Sequence, residues 1–270
     1  MMLAPGMYFT CVLEKSQPRV FGRGIEVEAT TADMVAAGHY HVMLLSEGKL
    51  QCIGSNECQQ CDVPEGLGKV ILIAAGQQHS CVVNEEGRLF CFGENHAQQC
   101  NVPEDLAPVQ SVSAGGSHTC VIVGATPELA RLRCFGSNKS RQCDVPKDLE
   151  DVPVKAVAAG GSHTCVITQS DELRCFGDNS FGQCKVPAKL KKVTMVSAGQ
   201  RHTCALQEDG TLVCFGDPSF GQCSVPEDLK NLVIDVKAGA FHTCAVKRDG
   251  SLVAFGCNSA GQLNLKTDAL

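Results

Sequence analysis

Apolar and polar residues alternate along the chain in short segments that return with a fixed order. A typical segment is the run Val70-Ile71-Leu72-Ile73-Ala74-Ala75-Gly76, followed by His79-Ser80-Cys81-Val82-Val83, a polar turn at Glu85-Glu86-Gly87, and Leu89-Phe90-Cys91-Phe92-Gly93. Runs of four to seven β-branched and apolar residues bounded by Gly and acidic turns predict short strands, and an acidic residue before Gly predicts a hairpin. A Gly/Asn-rich loop then leads to Gln99-Cys100-Asn101-Val102-Pro103, read as a short fourth strand whose Pro suits an edge position. The strands are apolar on both faces, as expected of small sheets sandwiched between neighbours.

The order repeats. Ala-Gly-x-x-His-Thr-Cys, or a close variant, places its glycine at Gly38, Gly76, Gly115, Gly160, Gly199 and Gly239, and a worn copy begins at Gly6; successive glycines lie 32, 38, 39, 45, 39 and 40 residues apart. Copies begin near residues 4, 36, 74, 113, 158, 197 and 237. Seven copies of four short strands predict an all-β, seven-bladed β-propeller occupying residues 1–270 as a single domain, closed by setting the last copy beside the first. The first copy lacks the Gln-Cys-x-Val-Pro segment, and the fourth carries an insertion at residues 124–130.

The chain holds 18 cysteines, sixteen of them at three repeat-locked positions. Where a copy lacks one, the substitute is Met43, Val20, Ala254 or Leu263, always apolar, so the position is read as a small buried hydrophobe. Cys11 faces Val20, Met43 faces Cys52 and Cys244 faces Ala254 in the repeat, which argues against obligatory disulfides and for a reducing compartment, cytoplasmic or nuclear. Cys58 and Cys257 lie outside the locked positions and are the expected reactive thiols. Cys58-Gln59-Gln60-Cys61 has the spacing of half a zinc site, with Cys52 nearby, but a structural site needs four ligands and no second pair has that spacing, so no metal is expected.

A net charge of −6 argues against nucleic-acid binding by phosphate neutralisation. The apolar runs are too short to span a membrane, and the start shows no basic n-region or long h-region, so no signal peptide is expected. The His-Ser/Thr neighbours recur in five of the seven copies and so serve the repeat. No nucleophile with a base and an orienting acid breaks the symmetry, and neither catalysis nor a cofactor is expected. Of the six repeat histidines, His41, His79, His118, His163, His202 and His242, each is expected to bond neighbouring backbone at a turn.

Ala-Gly-x-x-His-[Ser/Thr]-x-x-Leu followed by Gly-x-Leu-x-x-Phe-Gly-x-Asn-x-x-Gly-Gln resembles the repeat of the regulator-of-chromosome-condensation family, most clearly over residues 159–183 and 198–222. The short copies and the Val-Pro after Gln look most like the compact bacterial members, which include a β-lactamase-inhibiting propeller. The resemblance implies a protein partner: a docking platform, a regulator or exchange factor of a small GTPase, a ubiquitin-pathway component, or an enzyme to be inhibited. A light-sensing role would need Trp clusters, and the chain has no Trp; residues 124–130 are the one weak match to an exchange wedge. Cys here stands where relatives usually carry Leu, Ala or Ser.

The pair between Gly and His does vary. It is small or polar in copies three to six, up to Gln200-Arg201, but reads Ala240-Phe241, Met7-Tyr8 and His39-Tyr40 in copies seven, one and two, which closure makes neighbours. Met7, Tyr8, His39, Tyr40, Arg201 and Phe241 are the expected partner-binding residues, because grouped exposed aromatics mark interface hot spots. The competing reading is that these rings fill gaps around the degenerate first copy. A second candidate is the Asn-x-x-Gly loop series with Phe181, Phe220, Lys139 and Arg141, placed on the opposite face. A monomer is expected.

Overall fold

The computed structural model describes residues 1–28 and 31–265. It contains seven three-stranded antiparallel sheets, each in simple sequential order. The first is β1 (Met2–Pro5), β2 (Phe9–Glu14) and β3 (Gln17–Gly22), and the second is β4 (Met34–Ala37), β5 (His41–Ser46) and β6 (Lys49–Gly54). The third is β7 (Val70–Ala75), β8 (His79–Asn84) and β9 (Leu89–Gly93), and the fourth is β10 (Val109–Ala114), β11 (His118–Val123) and β12 (Arg131–Gly136). The fifth is β13 (Val154–Ala159), β14 (His163–Thr168) and β15 (Leu173–Gly177), and the sixth is β16 (Val193–Ala198), β17 (His202–Gln207) and β18 (Leu212–Gly216). The seventh is β19 (Val233–Ala238), β20 (His242–Lys247) and β21 (Leu252–Gly256).

Each middle strand is covered on both faces by adjacent sheets, which is why its apolar residues do not alternate with polar ones. All six residues of β8, β11 and β14 are buried. The apolar clusters lie between sheets: Cys204, Leu206 and Leu212 of one pack with Val233, Val236 and Ala245 of the next. The final seam repeats the arrangement, with Cys244 and Val246 packed against Leu3 and Val12. The disc is therefore closed by side-chain packing between its two ends.

The fourth segment is not a strand. Its backbone is satisfied by side chains in place of a ladder. The Oε1 of Gln60, Gln99, Gln142, Gln183, Gln222 and Gln262 accepts the backbone N–H two residues earlier at 2.9–3.0 Å. Asn56, Asn95, Asn138 and Asn179 accept the cysteine N–H five residues on at 2.9–3.0 Å. A Gln-Cys-x-Val-Pro sequence thus makes a side-chain-braced loop, and a blade has three strands.

The repeat argues against obligatory disulfides, and one copy nevertheless carries a disulfide. Cys165 and Cys175 are directly opposite across β14 and β15 and are disulfide-bonded. The same register opposes Cys81 to Cys91, Cys120 to Cys134 and Cys204 to Cys214. Copies in which one partner is Val, Met or Ala keep an apolar cross-strand pair, so losing one cysteine does not require losing the other.

Candidate protein-binding face

The repeat glycines form the inner ring. At Gly160 an added Cβ would overlap the His163 ring and lie 2.7 Å from the Gly199 carbonyl oxygen of the next blade. Equivalent clashes follow at Gly38, Gly76, Gly115, Gly199 and Gly239, and Gly6 meets Phe9 and the Gly38 carbonyl in the same way. Only a residue without a side chain lets seven chain segments converge there. Seven backbone hydrogen bonds run around the ring at 3.0–3.3 Å, from Met7 N–H to His39, on through His39, Gln77, Gly116, Gly161 and Gln200, and from Ala240 N–H back to the Gly6 carbonyl.

The histidines do not bond turn backbone. Each Nε2 meets a hydroxyl on the middle strand of the following blade: His41 with Ser80, His79 with Thr119, His118 with Thr164, His163 with Thr203, His202 with Thr243 and His242 with Thr10, all at 2.9–3.0 Å. Each hydroxyl donates to the carbonyl of the braced Gln at 2.7–3.0 Å, from Ser80 to Gln60 through Thr10 to Gln262. The hydroxyl spends its one proton on the carbonyl, so it accepts from Nε2–H, which fixes the imidazole tautomer. Burial pushes the pKa of His41 down to about 4 and those of His163 and His242 down to about 3, with neighbouring histidines of the ring adding to the shift.

The variable pair divides its roles. The first residue faces the axial channel, which His39, Gln77, Gly116, Gly161, Gln200 and Ala240 line together with the glycine ring. Gln77 donates to Gln200 across the opening at 2.6 Å. His39 is held down at about pKa 4 by burial, against a smaller opposing effect of its bond to Gln200. Met7 is half-buried beside it. These two residues belong to the channel end, while the second residue of each pair stands on the rim.

On the rim, Tyr8 and Tyr40 are 38 % and 41 % exposed. Their ring centroids are 6.1 Å apart, and His39 meets Tyr40 edge-on at 6.0 Å. Phe241 packs on Phe220 at 5.3 Å, and the Arg201 guanidinium lies over Phe181 at 4.5 Å. Phe181 and Phe220 are therefore on the same face as the variable pairs, not opposite them. They sit two residues before a buried Gln, on the loop that returns from the third strand beside the next blade. The face thus carries two interleaved series, and that Gln-minus-two position is the signal in the sequence that locates the second one. From the blade-five loop round to blade two it reads Phe181, Arg201, Phe220, Phe241, Ala260, Tyr8 and Tyr40. The remaining rim reads Cys58, Gln78, Ala97, Ser117, Ser140 and Ser162.

Lys139 and Arg141 lie on the same loop series within the small-residue part of the rim. Residues 124–130 form the β11–β12 hairpin connection, at the opposite end of the sheet, with a short 3₁₀ turn at Pro127–Leu129. Among the described residues no group of three or more His, Cys, Asp or Glu is placed to hold a metal ion. No helix in the described residues is long and apolar enough to cross a membrane.

Seven three-stranded sheets closed around a glycine ring define a seven-bladed β-propeller. Residues 70–99, 154–183, 193–222 and 233–262 match the model of the Regulator of chromosome condensation (RCC1) repeat, so the propeller carries RCC1 repeats in four places. Among solved structures it is similar to the ectodomain of the Physcomitrella patens receptor kinase CR4 (TM-score 0.77, 21 % identity, 94 % of this chain and 72 % of that one). It is similar also to the CRINKLY WD40 ectodomain of the Arabidopsis thaliana receptor kinase ACR4 (TM-score 0.76, 21 % identity, 95 % and 94 %). Prp20p of Saccharomyces cerevisiae, described with its binding properties to Gsp1p and histones, aligns with TM-score 0.73 at 17 % identity over 99 % of this chain and 84 % of that one. At these identities the likeness is one of fold. No curated protein matches the sequence.

Proposed function

We propose that the chain is a non-catalytic protein-binding platform whose partner docks on the aromatic half of the rim. The observation that carries this reading is the concentration of exposed rings on one arc, Tyr8, Tyr40, Phe181 and Phe220, with half-buried Phe241 and with Arg201, against an otherwise small and polar rim. Tyr, Phe and Arg are enriched at interfaces, and Tyr and Arg are prominent among the residues that dominate interface energetics. The disc holds them rigidly, because Tyr8, Tyr40, Arg201 and Phe241 are each followed directly by a buried strand and the backbone N–H groups of Phe181 and Phe220 each donate to a buried Gln. Met7 and His39 support the arc from the channel side.

The test is capture of partners by the wild-type chain and by a Tyr8→Ala/Tyr40→Ala/Phe241→Ala variant of matched thermal stability, followed by direct affinity measurement with the purified partner. A partner retained by the first and weakened about a hundredfold or more in the second supports the arc. Equal binding by both sinks it.

A second reading is regulation of a small GTPase. Leu129 in the 124–130 loop is 58 % exposed, the most exposed large apolar side chain among the described residues. One of the similar propellers is described as binding Gsp1p. Here the working surface would be the hairpin face. Acceleration of nucleotide release from a small GTPase, abolished by deleting residues 124–130 and unaffected by the rim variant, would favour this reading over the first.

A further inference from the structure

One cysteine position recurs in five blades directly after the buried Gln: Cys61, Cys100, Cys143, Cys184 and Cys223. Its surroundings are nearly the same in all five, with the sulfur 3.2–3.5 Å from the carbonyl of Ser55, Glu94, Ser137, Asp178 or Asp217. What differs is the neighbouring cysteine on the third strand. In blades three, four and six it faces a first-position cysteine across the ladder, Cys91 with Cys81 at 3.1 Å, Cys134 with Cys120 at 3.0 Å and Cys214 with Cys204 at 3.1 Å, and in blade five the pair is bonded. In blade two the opposed residue is Met43, fully buried and without an S–H. Cys52 turns its thiol to Cys61 instead and donates to it at 2.9 Å.

This single substitution changes the chemistry of the loop thiol. The Cys52 hydrogen bond lowers the pKa of Cys61, while burial pushes Cys100, Cys143, Cys184 and Cys223 up to about 12. Cys61 is half-buried on a loop, and its partner sulfur is already in contact. Thiol–disulfide exchange needs a stabilised thiolate, access for a reagent, and a second thiol positioned to displace the first product. Blade two meets all three conditions, whereas the loop cysteines of blades three to six lack the first.

We propose that Cys61 and Cys52 form a thiol–disulfide exchange site for low-molecular-weight disulfides of the glutathione class, with Cys61 attacking and Cys52 resolving. The Cys61 thiolate attacks one sulfur of the disulfide; the S–S bond breaks, a mixed disulfide forms on Cys61, and one thiolate leaves and takes up a proton. Cys52 then loses its proton and attacks the Cys61 sulfur, which expels the second thiolate. The protein loses two electrons and two protons, and one disulfide becomes two thiols. Cys58, three residues before Cys61 and also half-buried, is not the resolving partner, because the thiol that touches Cys61 is that of Cys52.

The test is to incubate the native, reduced chain with glutathione disulfide, quench with an alkylating agent at intervals, and map the cysteine peptides by mass. The expected result is glutathionylation of Cys61 at least about tenfold faster than at Cys100, Cys143, Cys184 or Cys223, followed by loss of two hydrogen atoms on joining Cys61 to Cys52. Cys52→Ser should trap the mixed disulfide on Cys61. Met43→Cys should draw the Cys52 thiol back to the ladder and slow Cys61 to the rate of its counterparts. Equal rates at all five loop cysteines in the wild-type chain, or a Cys58–Cys61 product, overturns the proposal. The wild-type rates alone decide the first point, so a variant that fails to fold does not rescue it.

Discussion

Six seams of the disc are polar and one is not. Between blades two and seven, and from seven back to one, an imidazole, a hydroxyl and a Gln carbonyl form a buried chain. Between blades one and two Phe9 stands in the imidazole's place and Val42 in the hydroxyl's, 1 % and 0 % exposed, and the Gln loop is missing. Ile25, Val27 and Ala32 of the connecting segment pack there with Ala4, Leu13 and Leu44. All three members of the chain are absent together. The reason is the cost asymmetry of buried polar groups: a complete network is stable and an apolar replacement is stable, but a hydroxyl without its acceptor, or a carbonyl without its donor, costs about 1–3 kcal/mol. The seam is therefore a unit that is kept whole or exchanged whole.

Acid should separate the two kinds of seam most strongly. His41, His163 and His242 have folded-state pKa values near 4, 3 and 3, below the usual value of 6.5. Below pH 6.5 the unfolded chain binds protons that the folded chain excludes, so stability is complete above that pH and falls as the pH drops toward 4. Each such histidine removes about 1.4 kcal/mol per pH unit in that window. The midpoint of urea unfolding, followed from pH 7.5 to 4.5, should fall steeply, while the Phe9 seam contributes nothing to the slope. A flat profile would show that the imidazoles are charged or hydrated in the folded disc.

Gly160→Ala comes next. It drives a methyl into the His163 ring and the adjacent blade's backbone, neither of which can retreat, and should cost on the order of 3 kcal/mol or more by denaturant titration. A loss under 1 kcal/mol would mean that the glycine ring is looser than seven converging segments imply.

Breaking one seam by halves is a sharper comparison. Thr203→Val leaves His163 Nε2 and the Gln183 carbonyl without partners and should cost about 2–3 kcal/mol, while His163→Phe combined with Thr203→Val should cost less than the sum of the single changes. In the apolar seam the sign reverses. Val42→Thr should destabilise by about 1–2 kcal/mol, because no Gln carbonyl is present to receive its hydroxyl. Additive effects in the first pair would show that the seam is not a unit.

The smallest effect belongs to the rim. Arg201→Ala removes a cation from the face of Phe181 at an exposed site and should change stability by about 0.5 kcal/mol or less. A much larger loss would mark the aromatic arc as part of the core and remove the reason for reading it as a docking surface.

Much of this is legible in the chain itself. The period, the blade count, the positions of β2 through β21 and the placement of the x-x pair at one mouth follow from repeated local signals. The face is legible only in part. Tyr8, Tyr40, Arg201 and Phe241 stand out because they break a repeat, whereas Phe181 and Phe220 look like a separate loop series. That a loop from blade five lies beside the rim of blade six is a contact between repeats, and a repeat pattern describes only one blade at a time. The same limit hides the seams. His163 and Thr203 are 40 residues apart, and nothing within either copy names the other. The one visible trace is the coincidence of Phe9, Val42 and a missing Gln loop in two consecutive copies.

Everything with a local cause can be read along the chain: strands from apolar runs, hairpins from acidic-Gly turns, a closed disc from seven copies. Which thiol faces which, which hydroxyl each imidazole meets, and whether Gln-Cys-x-Val-Pro braces a loop or adds a fourth strand emerge only when the blades are set side by side. Those outcomes depend on the few ångströms between neighbouring blades. That spacing is set by the packing of whole sheets around the glycine ring, and no single repeat contains it.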